Sequence, residues 1–319
     1  MKAIRVHQVG GPEVLRPEEV PVPEPGPGEV LVRIFASGVN YIDTYKRKGL
    51  YPMPLPFTLG EEAAGVVEKV GEGVVGVRVG DRVAFATVQG SYAQYQVVPA
   101  ERLVPVPEGL DLKLAAAALL QGMTVHYLLE SAYPVRPGDQ VLIHAGAGGV
   151  GLLFIQWAKR KGATVYATAS TEAKRALALE AGADYALPYE GFAQAVKALS
   201  GGGVDAVYDG VGKDTFEGSL EALRPRGFLV LFGQASGPVP PLDPQVLNRK
   251  GSLYLTRPTL HHYTASRREL LWRAGEVFRA LREGWLKVRV GAEFPLEKAK
   301  EAHEALEGRK TVGKVLLIP

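Results

Sequence analysis

Apolar and polar positions in the first hundred residues recur in short stretches bounded by glycine and proline. The segment 29–40 (EVLVRIFASGVN) carries the two-residue alternation of a half-buried strand over 31–35. EAAGVVEKVG, DRVAFATV and YAQYQVVP repeat that texture between glycine-rich turns. The run 21–29 (PVPEPGPGE) lacks the N–H groups a ladder needs and reads as a loop. A helix is expected over about 40–48. This part of the chain is β-rich.

Beyond about residue 112 the period changes. DLKLAAAALLQGMTVHYLLESA has a helical composition, and short β-branched runs then alternate with helical ones. VLIHA, TVYATA, DYAL, VDAVYDG and FLVLFG are the expected strands; GLLFIQWAKRKG, TEAKRALALEAGA and FAQAVKALSG are the helices between them. Such alternation implies βαβ units and a parallel sheet. GSLYLTRP (251–258) reads as a last strand at the sheet edge. ASRRELLWRAGEVFRALREGWL and EKAKEAHEALEGR follow as helices, and GKVLLIP as a final strand that must find a sheet, expected in the first domain.

Length and composition sharpen this picture. At 319 residues the chain has room for two domains. Its 46% hydrophobic content can fill a large core, although 38 glycines and 23 prolines make it rich in turns. A net charge of +3 without any long single-sign run argues against nucleic-acid and membrane-surface binding. The uncharged stretch 140–158 approaches bilayer length, but four glycines in its middle split it into a strand and a helix, so a soluble protein is expected. MKAIRVHQVGG has no apolar signal region. Cysteine is absent, which removes disulfides, a thiol nucleophile, iron–sulfur clusters and cysteine-bound zinc, and fits a cytoplasmic address. Two asparagines and three methionines suggest a heat-adapted source.

The most informative string follows the strand VLIHA: Gly146-Ala147-Gly148-Gly149-Val150-Gly151, a GxGxxG that opens a helix. Gly146 permits a tight turn, Gly148 the approach of a pyrophosphate, and Gly151 close packing of helix on sheet. Gly149 and Val150 begin the helix, whose N-terminus favours phosphate. An NAD site would carry Asp or Glu at the end of the second strand. Ala169-Ser170-Thr171 stand there, with Lys174 and Arg175 one turn on. A hydroxyl and an ammonium suit a ribose 2′-phosphate, so the expected cofactor is NADPH.

GDRVA, HAGAGGVG, VDAVYDGVG and LEALRPRGFLVLFG together resemble the medium-chain dehydrogenase/reductase superfamily. GVNYIDTYKRKGLYP, QGMTVHYLL and LNRKGSLYLTRPTL resemble its zinc-less quinone oxidoreductases, nearly end to end. The resemblance implies a doubly wound Rossmann α/β domain (113–257) inserted in a β-rich GroES-like catalytic domain (1–112 plus 258–319), with nicotinamide held in the cleft between them. Zinc-dependent relatives carry Cys and His where this chain has Asn40 and Glu61, so no metal is expected. Loss of zinc fits a quinone acceptor, because charge spreads over its ring as it is reduced, whereas an isolated ketone needs a Lewis acid.

The same resemblance implies a reacting centre of Asn40, Tyr41, Asp43, Tyr45 and Thr124, with Asn40 and Thr44 also beside the nicotinamide and its ribose. Tyr127 belongs to the nicotinamide side of the cofactor, and Ser170, Lys174 and Tyr189 to its adenosine phosphate end. Phe232, Gly233, Gln234, Thr256, Arg257 and Arg309 complete the cofactor set. Gly210 stands where some relatives have Ser. The resemblance further implies a homodimer through the edge strand 253–256, which would otherwise be an aggregation liability. The alternatives are an NADPH-dependent enoyl reductase, acting on an unsaturated ketone or acyl thioester, and a non-catalytic NADPH-holding, RNA-binding or structural relative.

Overall fold

A computed structural model describes residues 1–319. They fall into two compact units. The first comprises Met1–Met123, Thr264–Gly284 and Val288–Pro319; the second comprises Thr124–Tyr263 and Trp285–Lys287.

The first unit is built on a seven-stranded sheet. Its longest strand, Glu29–Val39, pairs antiparallel with Glu62–Val70 on one side. On the other it pairs with Tyr95–Pro99 along its first half and with Lys314–Ile318 along its last residues. Arg33, Ile34 and Phe35 alternate out, in, out, but Val30, Leu31 and Val32 are all buried because that end is covered on both faces. Phe35 is left 51% exposed. The C-terminal strand does return to this sheet, where it also runs parallel to Val290–Pro295. That neighbour was not expected from the sequence. It alternates half-buried and exposed residues with none fully buried, and its glycine and terminal proline weaken the strand pattern. The expected helix over 40–48 is Tyr41–Arg47.

The second unit holds six strands, all parallel: Gln140–Ile143, Thr164–Thr168, Tyr185–Leu187, Val204–Asp209, Leu223–Leu231 and Tyr254–Thr256. Numbered along the chain, they lie in the order 3-2-1-4-5-6. Leu142, Tyr166, Val207, Leu229, Phe192, Val196 and Leu220 form one packed cluster under the helices. The helix Gly149–Arg160 buries Leu152 to Ile155, Trp157 and Ala158, so the uncharged stretch 140–158 is a strand and a buried helix. Three helices, Phe216–Glu221, Gln245–Arg249 and Leu260–Tyr263, escaped the sequence reading; at six, five and four residues they hold too few turns for a periodic signal. One helix, Leu112–Ala132, is long and apolar enough to cross a membrane, but 78% of its apolar window is buried, as in a core helix.

Candidate active site

Six parallel strands present their carboxyl ends at one edge of the sheet. The residues that follow them collect there: the glycine turn after the first, Ser170 after the second, Tyr189 after the third, Gly210 after the fourth and Phe232 after the fifth. Strands one and four are neighbours whose connections leave in opposite directions, the switch point where open α/β sheets take their ligands.

At that point the chain turns sharply. Ala145 is held at φ 53°, left-handed for a residue with a side chain, and its N–H donates to the Tyr189 hydroxyl at 3.1 Å. Gly148 is the N-cap of the helix that follows. A Cβ on Gly151 would fall 2.3 Å from the Ala145 carbonyl oxygen, so only glycine lets the helix start this close to the turn. The first N–H groups of a helix have no partner within it, and here they face the switch point. This cradle fits a dinucleotide pyrophosphate.

Ser170 is exposed at the end of the second strand, and Lys174 is half-buried one turn into the helix Glu172–Glu180. The neighbouring groups are otherwise engaged. The Thr171 hydroxyl caps that helix by accepting from the Lys174 N–H at 3.2 Å, and Arg175 donates to the Ala169 carbonyl at 3.2 Å. Gly210, Phe232 and Gly233 are in mutual contact: a Cβ on Gly210 would meet the Phe232 ring at 2.9 Å, and one on Gly233 the Gly210 carbonyl at 2.7 Å. Gln234 follows them, half-buried. Thr256 ends the edge strand and Arg257 is exposed beyond it. Thr124 is 8% exposed, and Tyr127 is buried with its ring stacked on Tyr263, centroids 4.5 Å apart.

Beneath the cradle lies a polar network that the sequence reading missed. His144 Nδ1 meets the Thr168 hydroxyl at 2.8 Å and Nε2 the Ser219 hydroxyl at 2.8 Å. Asp209 accepts from the N–H groups of Val211 and Gly212 and from the hydroxyls of Thr215 and Ser219, all within 2.9 Å. Burial pushes the His144 pKa down. The network pins the fourth strand's exit loop under the first.

The other candidate residues lie in the first unit, on or just before the helix Tyr41–Arg47 except for Arg309. Asn40 is its N-cap residue and 5% exposed. Asp43 is fully buried: its Oδ2 accepts from the Asn40 N–H at 2.9 Å and from the Tyr92 hydroxyl at 2.8 Å. It therefore meets the rest of the site through Asn40. Burial, reinforced by the charge of Glu61, raises the Asp43 pKa to about 7. The Tyr92 oxygen meets His303 Nε2 at 3.0 Å, and His303 Nδ1 meets Arg47 Nη1 at 2.7 Å. A guanidinium can only donate, so Nδ1 accepts, Nε2–H donates to Tyr92, and Tyr92 donates to Asp43. Burial, then the Arg47 charge, pushes the His303 pKa down to about 3.

Tyr41 donates to the Leu306 carbonyl at 3.2 Å, which leaves its ring rather than its hydroxyl to offer a ligand. Tyr45 is 7% exposed and packs against Tyr41 and Tyr51. The Thr44 hydroxyl donates to the Tyr41 carbonyl at 2.8 Å. Arg309 is exposed at φ 57° after the helix Ala299–Glu307. Of the two positions where zinc-dependent relatives carry ligands, Glu61 contacts the Lys46 ammonium and Asn40 accepts from that of Lys314.

A Rossmann sheet in 3-2-1-4-5-6 order with its glycine turn at the switch point, spliced into a β-rich unit, is the architecture of the medium-chain dehydrogenases and reductases. Residues 26–108 match the alcohol dehydrogenase GroES-like domain and residues 149–267 the zinc-binding dehydrogenase domain. The chain is 47% identical to a quinone oxidoreductase of Salmonella typhimurium, over 99% of each chain. It is 44% identical to the 2-haloacrylate reductase of a Burkholderia species, over 98% of each. The crystal structure of Escherichia coli quinone oxidoreductase complexed with NADPH superposes with a TM-score of 0.98 at 44% identity, over all of both chains. The chain belongs to the quinone oxidoreductase family of the medium-chain superfamily.

Proposed function

We propose that this protein is an NADPH-dependent quinone reductase that works without zinc. One observation carries the choice of cofactor: the second strand of the parallel sheet is followed two residues on by the exposed Ser170, with Lys174 a turn beyond, where a carboxylate would mark NAD. The choice of acceptor rests on the family and on Asn40 and Glu61 at the two ligand positions, both engaged with lysines.

In this reading the N–H groups of Gly149, Val150 and Gly151 hold the pyrophosphate, Gly148 gives it room while its own N–H closes the turn onto the Ala145 carbonyl at 2.9 Å, and Tyr189 holds that turn. Ser170, Lys174 and Tyr189 serve the adenosine phosphate end. Phe232, Gly233 and Gln234, with Tyr127, Thr256, Arg257 and Arg309, make up the remaining cofactor contacts. When bound, NADPH supplies the hydride. Asn40 offers an amide N–H to the acceptor oxygen and Tyr41 a ring face to a flat substrate. Thr44 and Thr124 flank the nicotinamide, and Asp43 and Tyr45 support Asn40 and Tyr41 from behind. Solvent protonates the reduced product, so no acid catalyst is required.

NADPH and NADH oxidation should be compared across a panel of quinones and a crotonyl thioester. Quinone turnover specific for NADPH is expected, and Lys174→Ala should raise the KM for NADPH about tenfold while sparing NADH. Equal use of both cofactors would overturn the assignment of Ser170 and Lys174. Similarity to a 2-haloacrylate reductase favours an activated alkene as the second reading. Turnover of the thioester or a haloacrylate alone would establish it.

The subunit arrangement extends the proposal. The edge strand Tyr254–Thr256 has a partner on one side only, and Tyr254 is 54% exposed. We take residues 253–256 as a homodimer seam; light scattering that finds only monomer at micromolar concentration would refute it. The protein is placed in the cytoplasm of a heat-adapted organism, which predicts a melting temperature above the ~45–65 °C usual for mesophile domains.

A further inference from the structure

Behind Asn40 lies an ion pair with no exposed side-chain surface at all. Lys314 Nζ stands 2.5 Å from Glu62 Oε2 and donates to Asn40 Oδ1 at 2.9 Å. The same Glu62 oxygen accepts from Asn40 Nδ2 at 2.8 Å, while Oε1 accepts from the Leu120 N–H at 2.7 Å. Gly38 makes room for the arrangement. A Cβ there would fall 2.1 Å from Glu62 Oε2 and 2.9 Å from Lys314 Cε.

Three side chains thus close a ring of contacts, and its chemistry is directional. An ammonium has hydrogens and no lone pair, whereas a carboxylate has lone pairs and no hydrogen. Only one orientation of the Asn40 amide satisfies both. Turning it over would set N–H against N–H and oxygen against oxygen beside two side chains with no solvent-exposed surface. With that orientation fixed, one Nδ2 hydrogen is committed to Glu62 and the second remains. Asn40 also keeps more surface than either partner, 5% against 1% for Lys314 and none for Glu62.

We propose that Lys314 and Glu62 are positioning residues that lock the Asn40 amide so that it offers an N–H, and never its carbonyl, to the acceptor oxygen. This rests on the reading that Asn40 meets the acceptor. A fixed donor is worth most where negative charge develops during reduction, so its effect falls on kcat rather than on NADPH binding.

Lys314→Met alone strands a buried carboxylate and is expected to unfold the unit. The test therefore pairs Lys314→Met with Glu62→Gln, which neutralises both sites at similar volume. We expect a folded double variant to lose about a hundredfold in kcat with menadione, with its NADPH dissociation constant changed less than about threefold. In that background Asn40→Ala should cost less than about twofold, although alone it costs about as much as the double change. A folded double variant with kcat within threefold of the parent, or full additivity with Asn40→Ala, would overturn the proposal. If the double variant does not fold, Lys314→Arg is the substitute: a loss of about tenfold in kcat at unchanged NADPH affinity supports the clamp, and full activity overturns it. Asn40→Ala with undiminished quinone turnover would instead overturn the placement of Asn40, and the clamp with it.

Discussion

Each unit buries an aspartate and a histidine in one polar network, and the two networks behave differently. Asp209 receives donors at both oxygens from two backbone N–H groups and two hydroxyls. Asp43 receives donors at Oδ2 alone, and its buried Oδ1 has no partner. At Asp43, burial with too few donors to offset it lifts the pKa to about 7. The contrast separates a carboxylate built as a rigid anchor from one poised near neutrality.

The largest test of that contrast removes the anchor. Asp209→Ala leaves two N–H groups and two hydroxyls without their acceptor and should cost about 4 kcal/mol in urea unfolding. Asp43→Asn keeps a group that can accept from Tyr92 and should cost only about 1 kcal/mol near pH 7. Equal losses would erase the distinction.

Acidity sharpens it further. The folded pKa of Asp43, about 7, lies above an unfolded value near 4, so between them the native state holds the extra proton and stability falls as pH rises. His303 runs the other way. Its folded pKa of about 3 lies below an unfolded value near 6.5, so the unfolded state holds the proton and stability is lost as pH falls. Over roughly pH 4 to 6.5 the two slopes, each about 1.4 kcal/mol per pH unit, oppose one another. Relative to the parent, Asp43→Asn should therefore gain stability as pH rises through that window, and His303→Gln should lose it. Unfolding free energies at several pH values would show both; parallel curves for all three proteins would refute the assignment. The smallest effect is expected from Tyr189→Phe, which removes one hydrogen bond at the exposed Ala145 N–H. It should weaken NADPH binding by about two- to fivefold in a fluorescence titration.

The two networks also differ in how much of each can be read from the chain. Asp209 takes its donors from residues two to ten positions later, the nearest two within the string VDAVYDGVG that the sequence already marked and the others just beyond it. The parallel sheet and glycine turn are equally local, and their periodicity is strong. Asp43, Tyr92, His303 and Arg47 are joined across separations of 49, 211 and 256 residues, for which no spacing rule exists. Lys314 stood in GKVLLIP and read only as the start of a strand. Asp43 itself was marked through resemblance as a neighbour of the nicotinamide, yet its carboxyl group has no surface, a fact set by the pairing of distant segments.

The antiparallel seam between Lys314–Ile318 and Glu29–Val39 has a consequence for synthesis. The six strands of the nucleotide-binding sheet lie within one continuous segment, so that sheet can form while translation continues. The first sheet cannot close until Lys314–Ile318 has left the ribosome, and the Lys314 ammonium that meets Asn40 arrives in that same strand. A nascent chain thus has its glycine turn on a finished sheet well before the strand that carries Asn40's neighbours is sealed on its other edge.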